Sequence, residues 1–398
     1  MKSSTQSAHI AELTGLRALA VFMVLLGHTN SSFQTRFLIE CASKLWVGVD
    51  IFFVLSGFLI TRILLAARGS QNYFFVFYMR RILRIWPLYF CVLLAGFIVF
   101  HLQIGSRSHA GPLPWPFIFF VQNLQSVSQL WRIKQLDVTW SLAVEEQFYL
   151  IWPLIVALFS PRTLLWICSG LFLISPFVRI LFVLSGSEAT SLYYNTLCRM
   201  DGLAAGACLA LCCYHNLDSK RLFRGFCIVL AAVCIPMTFA IVRKDAFLGN
   251  MTAWTLTIPA LASFGLIGIA IQAAPTSLFR RALRNSVVRY VGEVSYGLYL
   301  LHRFVLIPLA NLRMQWIYNT LIHDTAIFLL GFMLCLLLAS LSWYCMERPM
   351  LRMKQYFAFS TAPTVSAELS LAGEHSILQR RSSAVRVIAV VEQPRGSG

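Results

Sequence analysis

The sequence predicts an all-α, polytopic membrane protein of about ten transmembrane helices, with both termini in the cytoplasm. Three observations carry that prediction. The 398 residues are 58% hydrophobic and only 12% charged, more apolar surface than a soluble interior of this size hides. The apolar residues gather into ten stretches, each near the length that crosses a hydrocarbon core. Basic residues between those stretches alternate in density, as the positive-inside rule requires.

The first stretch, 13–31, already contains Arg17 and lacks the basic leader and small-residue cleavage site of a removable signal, so it reads as a permanent span. The others are 45–66, 86–104, 140–159, 163–184, 197–214, 225–242, 252–272, 291–310 and 323–345. Ten crossings return the chain to its starting side. That side receives Lys2; Arg68, Arg80, Arg81 and Arg84; Arg162; Lys220, Arg221 and Arg224; Arg280, Arg281, Arg284 and Arg289; and Arg348, Arg352 and Lys354. The opposite side receives half as many: Arg36, Lys44, Arg107, Arg132, Lys134, Arg243, Lys244 and Arg313. This bias places the termini inside.

The connection 105–139 faces outward in this scheme and holds Pro112, Pro114 and Pro116. A capping loop, a substrate rim and a spacer all fit it. Residues 1–355 form the membrane domain. Residues 356–398 contain no full-length span and read as a disordered cytoplasmic tail, with one short apolar run at 386–391. No internal repeat is visible, which weighs against duplicated transporter halves.

A formal charge of +17 suggests nucleic acid, but the basic residues sit in short runs between apolar stretches, and nucleic acid is excluded on that ground. Cys91, Cys168, Cys198, Cys208, Cys227, Cys234 and Cys335 are among the cysteines inside apolar stretches, where thiols act as small hydrophobes. Cys212 and Cys213 are adjacent and lack metal-ligand spacing, so no metal is assigned.

Ionisable groups inside spans are costly and mark a protein interior or a polar cavity. Arg17 and His28 share one face of the first span, roughly 16 Å apart along its axis. Alternating topology brings Asp50, Glu145, Glu146 and His302 to about the depth of His28, although depth alone does not join them laterally. His28 has the chemistry to accept a proton near neutral pH, and a neighbouring carboxylate can orient such a ring. The plainer readings are a packing histidine, a helix cap for Asp50, and one of the two glutamates turned to the headgroups. Arg81 and Arg84 share a face just before Trp86-Pro87. As guanidiniums at a helix start they suit phosphate oxygens, and membrane anchoring explains them equally. Arg199, near Asp201 in sequence, fits either a buried pair with it or a place lining an outer cavity, and Arg179 has the same two readings. Ser295, Tyr299 and His302 fall on one broad face of the ninth span.

These residues belong to recognisable motifs. Leu16-Arg17-Ala18-Leu19-Ala20 through Leu26-Gly27-His28, Val47-Gly48-Val49-Asp50-Ile51-Phe52-Phe53, Arg80-Arg81-Ile82-Leu83-Arg84-Ile85-Trp86-Pro87 and Thr139-Trp140-Ser141-Leu142-Ala143-Val144-Glu145-Glu146-Gln147-Phe148-Tyr149 occur in that order. Val294-Ser295-Tyr296-Gly297-Leu298-Tyr299-Leu300-Leu301-His302 and Glu347-Arg348-Pro349 follow. The set resembles the acyltransferase-3 family of bacterial membrane O-acyltransferases over roughly residues 10–355. One departure lies at His302, where the family often has Trp before it and Pro two positions after, against Leu301 and Phe304 here.

The resemblance implies transfer of a short acyl group, acetyl foremost, from cytoplasmic acyl-CoA to a hydroxyl of a carbohydrate or glycolipid in a bacterial plasma membrane. It implies His28 as the catalytic residue, with Asp50 and Glu145 tuning the polar centre. Arg17, Arg81 and Arg84 would hold the donor, while Glu146, Arg199, Ser295, Tyr299 and His302 are the acceptor-side candidates. No tightly bound cofactor is expected, and no appended hydrolase-like domain that would relay the acyl group. The rival readings are a transporter or flippase of a polar lipid and a non-catalytic membrane sensor.

Overall fold

A computed structural model describes residues 10–104, 114–124, 133–187, 189–214, 220–241, 254–310 and 319–360. The predicted termini and parts of the 105–139 connection lie outside these residues. The described elements are helical, and ten long helices follow the ten apolar stretches. They are α1 (Ala11–Thr29), α2 (Gly48–Ala66), α3 (Tyr73–Ile104), α4 (Thr139–Leu158) and α5 (Pro161–Leu184). Then come α6 (Thr196–Tyr214), α7 (Lys220–Ile241), α8 (Thr257–Gln272), α9 (Ser295–Ala310) and α10 (Thr320–Ser342).

Seven of the helical segments, those containing α1 to α6 and α10, are long and apolar enough to cross a membrane. The protein is therefore an all-α, multi-pass membrane protein with seven candidate spans among the described residues. Three further apolar helices, Phe223–Thr238, Thr257–Gln272 and Ser295–Ala310, are shorter than a full crossing. For α9 the reason is local. The predicted stretch 291–310 is divided at Val294, and its first residues belong to a separate helix, Ser286–Glu293.

Another difference concerns the arginine cluster. The predicted span began at 86, but α3 begins at Tyr73. Arg81 and Arg84 therefore stand more than two turns inside the helix, and the dipole of a helix start does not assist them. Arginine is a good helix former, and Pro87 lies within the helix without ending it. Proline is tolerated in such helices because neighbours take up the freed carbonyls. Near the two prolines, tyrosines tie the helices to their neighbours: Tyr296 Oη donates to the Ile85 carbonyl at 2.6 Å and Tyr78 Oη to the Leu150 carbonyl at 2.8 Å, while the carbonyls the prolines free are those four residues earlier, Leu83 and Tyr149.

One close crossing joins α2 and α6. A Cβ built on Gly206 would lie 2.0 Å from the Val54 carbonyl oxygen, and one on Gly57 2.0 Å from that of Leu203. Glycine is required at both positions because lipid gives helices no hydrophobic reason to associate, and close backbone packing replaces it. By contrast α5 and α10 expose large residues such as Leu173, Phe177, Met333 and Leu337, which suits lipid-facing helices.

Part of the long connection folds back. Residues 114–124 pack on α3 and α4, with Phe120 stacked on Tyr89 at 4.5 Å and Gln147 Nε2 donating to the Phe120 carbonyl at 2.7 Å. At the other end, Phe357–Ser360 lie against the start of α3, so the described chain stays attached beyond 356.

Candidate active site

Two polar pockets lie along α9. The first, about 90 Å³, sits between α1, α2, α3, α4 and α9, towards the face where α1 begins. Arg17, Arg81, Arg84, Glu145, Ser295 and Tyr299 line it together, joined by Ser56, Ser141, Tyr149 and Tyr296. Glu145 is the one carboxylate among its lining residues, and it is held by hydroxyls. Ser56 Oγ and Tyr149 Oη each donate to one of its oxygens at 2.9 Å. Among the described residues, none of the three arginines makes an ion pair. The buried Arg81 Nε has no partner. A pocket with three uncommitted guanidiniums is built for an anion.

The second pocket, about 450 Å³, lies towards the opposite face and is lined by His28, Ser31, Lys134, Asp137, Tyr194, Arg303 and the end of α9. Arg303 grips Asp137 with two bonds, Nη2 to Oδ2 at 2.6 Å and Nε to Oδ1 at 3.1 Å. Burial pushes the Asp137 carboxyl up from the ordinary carboxylate range, against the pull of Arg303.

Between the pockets stand Tyr299 and His302. Tyr299 Oη lies 2.6 Å from Ser141 Oγ and also donates to the Val138 carbonyl at 3.1 Å. One turn further, His302 Nε2 lies 3.3 Å from His28 Nδ1. Carbonyl oxygens only accept, so they fix the tautomers. His302 Nδ1 faces the Tyr299 carbonyl at 2.7 Å, and His28 Nδ1 faces the Val24 carbonyl at 2.9 Å. Both Nδ1 atoms therefore carry protons, and the single Nδ1–H of His28 is shared between the Val24 carbonyl, at 2.9 Å, and His302 Nε2, at 3.3 Å. That leaves the Nε2 lone pair of His28 without a partner among the described residues. His302 is fully buried, whereas His28 is half-buried and lines the second pocket.

The predicted stratum is thus divided. His28 meets His302, Glu145 joins the arginines, and Asp50 meets neither group. Asp50 Oδ1 instead accepts from Arg199 at 3.0 Å, both side chains buried. The Arg199 guanidinium lies 5.0 to 5.6 Å from the ring centroids of Phe53, Trp140 and Tyr193. Asp201, the neighbour expected for Arg199, pairs with Arg179 at 2.8 Å and accepts from Thr257. Of the two glutamates, only Glu145 lines the pocket; Glu146 points to Trp86, whose Nε1 donates to it at 3.4 Å. Adjacent helical residues diverge by about 100°, so only one could face inwards. Sequence reasoning missed Arg303 and Asp137. A signal existed, because Arg303 is itself a charge inside a predicted span.

No group of three or more potential metal ligands occurs among the described residues. Fold and site together define a multi-pass helical membrane protein with a cation-lined pocket and a histidine-lined pocket meeting in its interior. The chain belongs to the acyltransferase-3 family, whose model, an acyltransferase domain, matches residues 10–344. Relatives include the peptidoglycan O-acetyltransferase OatA of Listeria monocytogenes, 29% identical over 95% of this chain and 63% of that protein. The O-acetyltransferase OatA of Staphylococcus aureus (strain MRSA252) is 26% identical over 91% of this chain and 60% of its own length. The chain thus spans about three fifths of the length of these relatives. No solved structure matches it.

Proposed function

We propose that the chain is a membrane O-acyltransferase that moves a short acyl group, foremost acetyl, from acyl-CoA to a hydroxyl of an envelope or exported carbohydrate or glycolipid. Family membership supports the reaction class, and the relatives named as O-acetyltransferases support acetyl. The observation that carries the mechanism is that His28, whose Nε2 has no partner among the described residues, lines the second pocket while arginines without ion pairs line the first.

In this reading Arg17, Arg81 and Arg84 hold the donor phosphates, and the pantetheine arm passes Tyr299 towards His28. The acceptor hydroxyl enters from the second pocket. Its oxygen bonds to the thioester carbonyl carbon as His28 Nε2 takes its proton. The tetrahedral intermediate then collapses, the C–S bond breaks, and the thiolate recovers the proton from His28. His302 positions the His28 ring. Glu145 sets the polarity of the donor pocket, and Asp50 acts at one remove by fixing Arg199. On this reading the protein sits in a bacterial plasma membrane, its ten long helices cross it, and the arginine-rich donor side and both termini face the cytoplasm.

The test is incorporation of labelled acetyl from acetyl-CoA into a glycan by purified protein in detergent. The expected result is an ester product that falls at least about a hundredfold in His28→Gln, with unchanged folding by elution profile and melting. Normal turnover in His28→Gln would end the assignment of the base. Absence of any ester, together with net substrate movement in sealed vesicles, would favour a transporter.

A further inference from the structure

Beyond α10 the chain forms a strap. Residues Trp343–Glu347 wind as a π-helical turn, Arg348–Arg352 as a short helix, and Met353–Tyr356 as a tighter turn. Phe357–Ser360 then lie along the start of α3. Arg80 Nε donates to the Phe357 carbonyl at 2.7 Å, and Asn72 Nδ2 to the Ala358 carbonyl at 2.8 Å. Asn72 Oδ1 accepts from the Ser360 N–H at 2.8 Å, and the Arg80 guanidinium lies 5.3 Å from the Phe359 ring centroid. Arg80 is next to Arg81 and one turn from Arg84, so these contacts hold the strap at the rim of the donor pocket.

At that rim Lys354 is half-buried in the repulsive field of Arg84, Arg81, Arg80 and Arg17. No carboxylate among the described residues comes within ion-pair distance of any of these five groups. Like charges withdrawn from water without paired counter-ions raise the free energy of the site. A ligand with several phosphates relieves that repulsion, and one with a single phosphate relieves only part of it.

We propose that Lys354, presented by the strap, forms a second phosphate subsite that takes the ribose 3′-phosphate of the donor. This rests on the acyl-CoA reading above. In CoA the thioester, pantetheine arm, pyrophosphate and 3′-phosphorylated adenosine follow one another along the molecule. With the thioester directed to Tyr299 and the pyrophosphate on Arg81 and Arg84, the remaining phosphate falls outward, at the rim. Arg80 is committed to the Phe357 carbonyl, which leaves Lys354 as the cation that meets it. The strap is thereby part of the donor site as well as a connection to the tail.

The experiment is calorimetric titration of the purified full chain, in neutral detergent, with CoA and with 3′-dephospho-CoA. Wild type is expected to bind CoA about tenfold more tightly, the scale of one charge-assisted contact. Lys354→Ala abolishes that preference by weakening CoA alone, and Lys354→Arg retains it. Asn72→Ala loosens the strap while leaving every cation in place, and it reduces the preference in part. A wild type without the preference, or a Lys354→Ala variant that keeps it, overturns the subsite and leaves the donor reading standing. A monodisperse wild type that binds neither ligand overturns both.

Discussion

Arginine is used in two ways inside this bundle. Arg179 and Arg199 are fully buried, and each has its own aspartate, Asp201 and Asp50. Arg17, Arg81 and Arg84 line a cavity and have none. Both groups sit in helices apolar enough to cross a membrane, so residue type and kind of helix do not separate them. The counter-ion does. A closed pair holds helices in register and leaves little field for a ligand, whereas an open cation keeps its field for whatever enters the cavity. An intramembrane charge is a sign of function chiefly when its partner is missing.

The largest effect should come from half-breaking a closed pair. Asp50→Asn leaves Arg199 buried and uncompensated, at an expected cost of about 3–5 kcal/mol. The check is a lowered melting temperature in detergent, with recovery in a double variant, Asp50→Leu with Arg199→Met, that removes both charges. If Asp50→Asn melted like wild type and still lost activity, Asp50 would belong with the reacting groups and the comparison would break. Next in size is an open cation. Arg81→Gln removes no ion pair, so melting should move little, while binding of acyl-CoA weakens about ten- to a hundredfold. A large loss of stability with unchanged donor affinity would place Arg81 with the structural arginines.

Much of this was legible in the sequence, for physical reasons. Apolar length located ten helices, and of the scarce polar residues within them Arg17, Arg81, Arg84, Glu145, Ser295 and Tyr299 line the first pocket and His28 the second. The depth argument brought His302 to the level of His28, because helical rise is fixed, and the two rings meet at 3.3 Å. Lateral placement was not legible. Asp50 was expected only at the depth of His28, and it meets Arg199 on α6, since depth says nothing about which neighbour lies on which side. The start of α3 was missed because the hydropathy pattern ends at the arginines while the helix does not. Arg303 was missed because it was read as part of an apolar span, although the rule that singled out His302 applies to it equally.

The Arg303–Asp137 pair is the intermediate case. It is bidentate like a closed pair, yet both side chains keep nearly a fifth of their surface exposed and line the second pocket. Solvent screening limits its contribution to roughly 1 kcal/mol. Asp137→Asn should therefore shift melting far less than Asp50→Asn. The pair joins α9, directly after His302, to the segment that leads into α4, so loosening it disturbs the acceptor side first. The expected result is about a fivefold rise in KM for the acceptor, the kinetic scale of 1 kcal/mol, with donor affinity unchanged. Raising salt should shrink the difference between wild type and variant, because a partly exposed pair is screened and a buried one is not. A stability loss equal to that of Asp50→Asn, insensitive to salt, would show that exposure does not grade these pairs. The line drawn between structural and functional charge would then have to rest on something other than the counter-ion.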